Sequence, residues 1–242
     1  MTTTINREEI QKFSDLADEW WDVNGKFKPL HMFNPIRIEY ITEKIKQEFN
    51  LINRNNDFLK DLKILDIGCG GGLISEPLAR LGGEVTGIDA SEKNIKVAKL
   101  HSKKNNLNIN YLNKSPEQLN NSEKFDIVLN LEVVEHVENV DLYIKSCSNL
   151  LKKNGIMFTA TLNRTIVSYI KAIVGAEYIL RWLPIGTHDW NKFIKPEELE
   201  KKLSLANFCT IDVKGLEFNP LFNKWKKSDN LSVNYIICSK RN

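Results

Sequence analysis

The sequence predicts an α/β fold in which a mostly parallel β-sheet is covered by helices on both faces. From Lys63 onward, short apolar runs alternate with stretches of helical periodicity, a pattern typical of consecutive strand–helix units. A glycine-rich turn follows the first apolar run, and the chain ends in two strand-like runs with no clear helix between them. Its 242 residues suffice for one hydrophobic core and are few for two domains.

The first 60 residues predict a helical cap that precedes this alternating region. Apolar residues recur at three- and four-residue steps from Ile10 to Trp20, and a second such pattern starts at Asn34-Pro35 and continues to Phe49. We therefore divide the chain into a cap (residues 1–60) and a core (residues 61–242) with a helical insertion at 163–190, all within one domain.

The core sequence predicts seven strands, with one helix ending near Leu81 and others at about 91–105, 140–151 and 196–205. The strand-like runs lie at residues 64–67, 84–88, 109–112, 125–131, 155–161, 210–218 and 231–239. Because the last two have no helix between them, they predict an antiparallel hairpin at the sheet edge. A Rossmann-like sheet that ends in one antiparallel strand is the arrangement seen in class I methyltransferases, an analogy at the level of the fold.

The composition excludes several classes of protein. The balance of 42% hydrophobic and 27% charged residues argues against disorder, and a net charge of +3 is too small to imply a nucleic-acid partner. No uncharged apolar stretch approaches the roughly 20 residues of a spanning helix, and no signal peptide is visible at the N-terminus. We therefore expect a cytoplasmic protein, with free thiols at its four well-separated cysteines.

The glycine-rich turn, residues 68–72, predicts a cofactor site. Glycine is needed where a Cβ would block a tight turn or the close approach of a ligand. The dinucleotide spacing G-x-G-x-x-G fails because position 73 is Leu73. Asp89 ends the second strand 21 residues after Gly68 (89 − 68), where a carboxylate can accept hydrogen bonds from both hydroxyls of a ribose.

The end of the fourth strand supplies the next candidate residues. Leu131 is expected near the cofactor, since the carboxyl ends of parallel strands line the ligand crevice. Glu132, Glu135 and His136 stand at relative positions 0, 3 and 4, so they share one face of a helical turn. Together they can bind a divalent cation, Mg²⁺ or Zn²⁺, that would lower the pKa of a phenol. The alternative is His136 as a base without metal.

The insertion leaves two interpretations open. Residues 166–183 are rich in apolar and aromatic side chains, with Lys171, Glu177 and Arg181 interrupting the run. They form either an interfacial pair of amphipathic helices on a membrane or a lid packed against the core. His188, just beyond the insertion, is a second candidate for a base or substrate ligand.

At this point the chain resembles the ubiquinone-biosynthesis O-methyltransferase family, a class I S-adenosylmethionine-dependent family. The matches run over nearly the whole chain; the glycine turn L-D-I-G-C-G-G-G is shared with many methyltransferases. The more specific motifs are T-L-N-R at 161–164, V-G-A-E-Y-I-L-R at 174–181 and G-T-H-D-W at 186–190. The resemblance implies methylation of phenolic hydroxyls on polyprenylated rings, namely 2-polyprenyl-6-hydroxyphenol and 3-demethylubiquinol.

The resemblance also implies site residues and partners. Arg37, Gly68, Asp89 and Leu131 match the family's cofactor contacts, with Arg37 as a bidentate clamp on the methionine carboxylate. Leu131 stands where the family often has Met. A lipid-like substrate implies peripheral contact with the inner face of the membrane, and other ubiquinone-biosynthesis enzymes are expected partners. The alternatives are a methyltransferase for another small molecule and a non-catalytic, membrane-recruited binding module.

Overall fold

The N-terminal cap consists of two helices joined by a short 3₁₀ turn. The computed structural model describes residues 3–51, 56–179, 186, 189–219 and 224–242. Helix α1 (Arg7–Asp15) begins at Asn6, whose side chain accepts the backbone N–H groups of Glu8 and Glu9. After the 3₁₀ turn Ala17–Glu19, helix α2 runs over Lys28–Glu48.

The predicted start of the second helix at Asn34-Pro35 is wrong. Helix α2 already begins at Lys28, with Pro29 in its first turn, and Pro35 lies inside the helix. A proline fits the first turn because its missing N–H would have no partner there. The helix that carries Arg37 therefore starts two turns earlier than its sequence pattern indicates.

The central sheet confirms the predicted fold class. In the described part of the chain it has eight strands in the order β3-β2-β1-β4-β5-β8-β6-β7. The first five strands in this order pair in parallel. The strands are β1 (Lys63–Ile67), β2 (Glu84–Asp89), β3 (Asn110–Asn113), β4 (Phe125–Leu131), β5 (Leu151–Leu162), β6 (Phe208–Asn219), β7 (Lys224–Ser228) and β8 (Asn234–Arg241).

The C-terminal strands differ in detail from the sequence prediction. Strand β8 is antiparallel, but it lies between β5 and β6 rather than at the edge. The edge is β7, an additional strand that forms a hairpin with β6. The sequence pattern predicts no strand in this stretch, because lysines interrupt its apolar residues. Edge strands commonly carry lysine, since charge discourages pairing with other chains.

Helices cover both faces of the sheet and bury its apolar strands. They are α3 (Ser75–Arg80), α4 (Glu92–Lys104), α5 (Val140–Leu150), α6 (Ile166–Ser168) and α7 (Pro196–Leu205). Leu65, Val128 and Met157 belong to the core on one face. On the other face, Tyr40 and Ile45 of the cap share a core with strand residues such as Phe158. This shared core supports the proposal that cap and core form one domain.

The described part of the insertion is helical and has two sides. After α6, a helix with π-type hydrogen bonding covers Tyr169–Ile179. Ile173 is buried with Leu162 and Phe193, so this part packs onto the core as a lid would. Four other apolar residues are largely solvent-exposed, and we call them the apolar patch: Ile166, Val167, Tyr169 and Ile170.

Two residues that the sequence singled out, one in the insertion and one near its end, are not among those that the structure describes. His188 and Arg181 lie outside the described residues. Within the described residues, no helix combines the length and the apolar character needed to cross a bilayer.

Candidate active site

The glycine turn after β1 has the backbone conformation that its sequence predicts. Gly68, Gly70 and Gly72 all have positive φ values, of 68°, 54° and 92°, in the region that favours glycine. A Cβ on Gly68 would lie 2.4 Å from the Cγ2 atom of Val133. The turn therefore brings the end of β1 against the segment that follows β4, and both segments line the same cavity.

Two glycines of this turn make room for the cap. A Cβ on Gly70 would lie 2.3 Å from the ring of Trp20, and one on Gly71 would lie 2.5 Å from the Cβ of Trp20. The Trp21 indole N–H also donates to the Gly71 carbonyl at 2.9 Å. Sequence reasoning assigned these glycines to the tight turn and to ligand approach, and it missed this contact with the cap. The only sequence feature that could have indicated this contact is the adjacent pair Trp20-Trp21.

Asp89 ends β2 beside the glycine turn, where the sequence places it. Its carboxylate accepts the N–H groups of Ser91 at 2.7 Å and Gly70 at 3.0 Å, and the Asn94 amide at 3.3 Å. Burial raises the pKa of Asp89, and these hydrogen bonds oppose that shift. A carboxylate has about four acceptor positions, so Asp89 keeps acceptor capacity toward the cavity that it lines.

A second buried acid, Asp66, stabilises the glycine turn. Asp66 of β1 accepts a hydrogen bond from the Ser75 hydroxyl at 2.6 Å, across the glycine turn. Burial raises the pKa of Asp66 to about 7. Because Ser75 begins α3, this bond ties the two ends of the turn together.

Arg37 projects from α2 into the cavity and is buried. It forms an ion pair with Glu132 and lies 3.9 Å above the ring centroid of Phe33. Its Nε atom is buried without a hydrogen-bond partner among the described residues. Burial lowers the pKa of Arg37, and the neighbouring carboxylates oppose that shift. The guanidinium therefore holds one carboxylate and keeps a free donor.

The expected metal-binding face is not present in this arrangement. Glu132 has a φ of 56° and lies outside the 3₁₀ turn Val134–His136, so the three residues do not share a helical face. Glu132 pairs with Arg37, whereas His136 pairs with Glu9. Burial and the nearby Glu132 raise the pKa of Glu135 well above its usual range, which favours a neutral carboxyl, and metal ligands must be deprotonated.

The donors therefore do not fit a bound metal in this conformation. Among the residues that the structure describes, no three His, Cys, Asp or Glu side chains are grouped as metal ligands. The metal role of Glu132, Glu135 and His136 stays a prediction, and the mechanism below uses protein side chains alone.

His136 is held by the cap. Its Nδ1 atom lies 3.0 Å from the Glu9 carboxylate of α1, and its ring meets Phe13 edge-on at 5.2 Å. Glu9 also accepts Lys192 at 3.1 Å. The hydrogen bond from His136 is the main cause that lowers the pKa of Glu9 to about 2. Sequence reasoning named His136 but missed Glu9, which lies 127 residues away along the chain (136 − 9).

One cavity of about 860 Å³ lies between the cap and the carboxyl ends of the strands, and Arg37, Asp66 and Glu9 are on its lining. Gly68, Asp89 and Ser115 lie on its lining, as do Leu131 and His136. The cavity lining also includes apolar side chains of α2, β6 and β7, and one residue of the apolar patch. Such a cavity can hold a polar nucleoside together with a larger apolar molecule.

Known proteins resemble this chain in sequence and in fold. The methyltransferase domain family matches residues 65–159. A ubiquinone biosynthesis O-methyltransferase from Pelagibacter ubique is 60% identical over 96% of this chain and 97% of its own length. The protein of that name from Bartonella tribocorum is 53% identical over 99% of this chain and 97% of its own.

A solved structure supports the fold at much lower sequence identity. The magnesium protoporphyrin IX methyltransferase from Synechocystis, with bound S-adenosylmethionine, superposes with a TM-score of 0.66. The two chains cover each other completely at 18% identity. At that identity the likeness concerns the fold alone.

Proposed function

The chain belongs to the family of ubiquinone biosynthesis O-methyltransferases, and from that premise we propose how its cavity is divided between cofactor and substrate. It is an S-adenosylmethionine-dependent enzyme that methylates phenolic hydroxyls of polyprenylated rings, 2-polyprenyl-6-hydroxyphenol and 3-demethylubiquinol. The observation that carries the proposal is one cavity whose lining includes both Asp89 and His136. We assign the cofactor to Asp89 and the phenol ring to His136.

The cofactor is assigned to groups that keep an unused hydrogen-bonding position or that leave space for a ligand. Asp89 has one of its about four acceptor positions left for a ribose hydroxyl, and Gly68 permits close approach of the ligand to the turn. Leu131 lines the same cavity at the end of β4. The Nε atom of Arg37, unpartnered among the described residues, can donate to the methionine carboxylate, either beside Glu132 or in its place.

The reaction is a direct displacement in which His136 takes the proton. When bound, S-adenosylmethionine would supply an electrophilic methyl carbon to the phenol oxygen and would take up the electrons of the broken carbon–sulfur bond as S-adenosylhomocysteine. The phenol must lose a proton, and a phenolic hydroxyl has a pKa of about 10 in water. With Nδ1–H of His136 donated to Glu9, Nε2 is the ring atom that can accept this proton.

Glu9 is a positioning residue in this scheme. Its carboxylate fixes the ring orientation and the tautomer of His136. Phe13, which meets the imidazole edge-on, covers it from the cap. The cap thereby helps to exclude water from the attacking oxygen.

Methyl transfer itself tests the assignment. We expect the enzyme to move a labelled methyl group from S-adenosylmethionine to one hydroxyl of a prenylated catechol. We expect His136→Gln to lower kcat about 100-fold or more, a typical effect of losing a positioned base, with little change in affinity for S-adenosylhomocysteine. The control is His31→Gln, because His31 is not on the cavity lining and its ring is hydrogen-bonded to the backbone carbonyl of Trp20. No transfer to any phenol would overturn the proposal.

We extend the proposal to the membrane, where the substrate is dissolved. The apolar patch is solvent-exposed, with Ile166 at 76% and Ile170 at 55% of their maximal area, and the exposed Lys171 follows it. Ile170 also lines the cavity, so the cavity opens at the patch. Aromatic, apolar and cationic residues together suit the surface of an anionic bilayer. Peripheral binding at the inner membrane face, and association with other ubiquinone-biosynthesis enzymes, stay predictions.

Liposome binding tests the membrane contact. We expect Ile166→Glu together with Ile170→Glu to abolish co-sedimentation with anionic vesicles, while the melting temperature stays within a few degrees of wild type. The control is Leu205→Glu, since Leu205, at the end of α7, is 78% exposed and is neither part of the patch nor on the cavity lining, and we expect it to bind vesicles normally. If wild-type protein ignores the vesicles, the patch does not meet lipid.

A further inference from the structure

Three aromatic side chains form one wall of the cavity, which we call the aromatic wall: Phe33 of α2, Phe218 of β6 and Trp225 of β7. The ring centroids of Phe33 and Trp225 lie 4.4 Å apart, and those of Phe218 and Trp225 lie 5.5 Å apart. All three residues line the cavity. Arg37 lies over Phe33, so the wall starts beside the Arg37–Glu132 ion pair and extends to β7 at the edge of the sheet.

The β6–β7 hairpin holds the wall against α2 by several polar contacts. Lys227 of β7 pairs with Glu39 at 3.0 Å and Glu43 at 2.5 Å, both on α2. Asp212 of β6 pairs with Lys44 at 3.1 Å and accepts the Tyr40 hydroxyl at 2.8 Å. Exposed ion pairs contribute little stability individually, but together they fix the register of hairpin and helix. The aromatic wall is therefore preorganised before any ligand binds.

The wall lines the same cavity as His136 and Ile170 of the apolar patch, and it offers an apolar surface. Leu216 of β6 and Val233 line the cavity in the same region, and Ile170 lines it where the patch begins. A catechol hydroxyl placed against these rings would lose its hydrogen bonds to water without replacement. An unsaturated hydrocarbon chain has no hydrogen bonds to water to lose, and it gains contact with the ring faces.

We propose that the aromatic wall is the subsite that binds the first isoprene units of the substrate's tail and selects for a prenylated ring. The inference rests on the proposed function, since it presupposes that the phenol ring lies near His136. From there the tail passes Phe33, contacts Trp225 and Phe218, and leaves the cavity at Ile170. The wall thus acts as a specificity determinant, and the residues that perform the chemistry lie elsewhere.

Paired substrates test this subsite. Kinetics are measured with two catechols that differ only in their tail, a farnesyl chain or a methyl group. For Trp225→Ala and for Phe218→Ala we expect about a tenfold rise in KM for the farnesyl substrate, equivalent to about 1.4 kcal/mol, as is common when a buried aromatic contact is truncated. We expect kcat and KM for the methyl substrate to change less than twofold.

Two further variants separate recognition from folding. Trp225→Phe keeps an aromatic face, and we expect it to restore most of the affinity for the farnesyl substrate. Lys226→Ala alters the exposed neighbour of Trp225 on the same strand, and we expect wild-type kinetics with both substrates. Affinity for S-adenosylhomocysteine, measured by calorimetry, should be unchanged in all four variants.

The outcomes distinguish this inference from the proposed function. If wild-type enzyme methylates neither catechol, the proposed function fails. If wild-type enzyme methylates both and the alanine variants weaken both to the same degree, the function stands and the tail subsite is refuted. Equal KM values for the two catechols in wild-type enzyme would also refute it, because no tail selection would exist to explain.

Discussion

Replacing Glu9 by Gln perturbs the link between the cap and the candidate base. Folding lowers the pKa of Glu9 from 4.5 to about 2, chiefly through its hydrogen bond with His136. That difference corresponds to about 3 kcal/mol of stabilisation when Glu9 is ionised. Because the pKa is lowered on folding, the contribution is complete above the unfolded value of 4.5 and fades as the pH falls toward 2.

Urea unfolding of wild type and Glu9→Gln tests this magnitude and its sign. We expect the variant to be less stable by about 3 kcal/mol at pH 6, and by about 2 kcal/mol at pH 3.5, because the wild-type contribution shrinks with protonation. The control is Glu8→Gln, which changes the exposed neighbour on the same helix turn, and we expect it to leave stability nearly unaltered. A stability difference that is small, or that grows toward acid, would refute the reasoning.

Two further predictions concern the cofactor end of the cavity. We expect Gly68→Ala to destabilise the protein by about 1–3 kcal/mol and to abolish binding of S-adenosylhomocysteine, because it adds both strain at φ 68° and a 2.4 Å clash with Val133. Gly186→Ala is the matched control for stability, since its φ of 85° is strained but no atom of the described residues lies within 4 Å; a loss of stability equal to that of Gly68→Ala would show that strain alone is responsible. We expect Asp89→Asn to weaken S-adenosylhomocysteine at least tenfold in calorimetry, or about 1.4 kcal/mol, and unchanged affinity would remove Asp89 from the ribose site.

The parts of the fold that were predictable from sequence are those set by local patterns. The first five strands, the glycine turn and Asp89 follow from apolar runs and strand-end residues that are close together in the chain. Strand β7 escaped prediction because its lysines mask the strand pattern. The position of β8 inside the sheet depends on pairing between distant segments, which no local pattern records.

The candidate site was predictable as a set of residues but not as a set of contacts. Glu132, Glu135 and His136 are adjacent in sequence, yet the positive φ of Glu132 turns its side chain toward Arg37. Partners from the cap decide the roles of the others, as Glu9 does for His136. Such tertiary contacts require the fold, and only the family resemblance brought Arg37 into the site beforehand.

A crystal structure of the enzyme with S-adenosylhomocysteine and a methyl-tailed catechol tests the division of the cavity most directly. The account predicts that a ribose hydroxyl bonds to Asp89 and that one catechol hydroxyl lies between the sulfur and Nε2 of His136, about 3 Å from that nitrogen. The methyl tail should point toward Phe33. A catechol ring bound on the Ser115 side of the cofactor, or with its hydroxyls against the aromatic wall, would contradict the account.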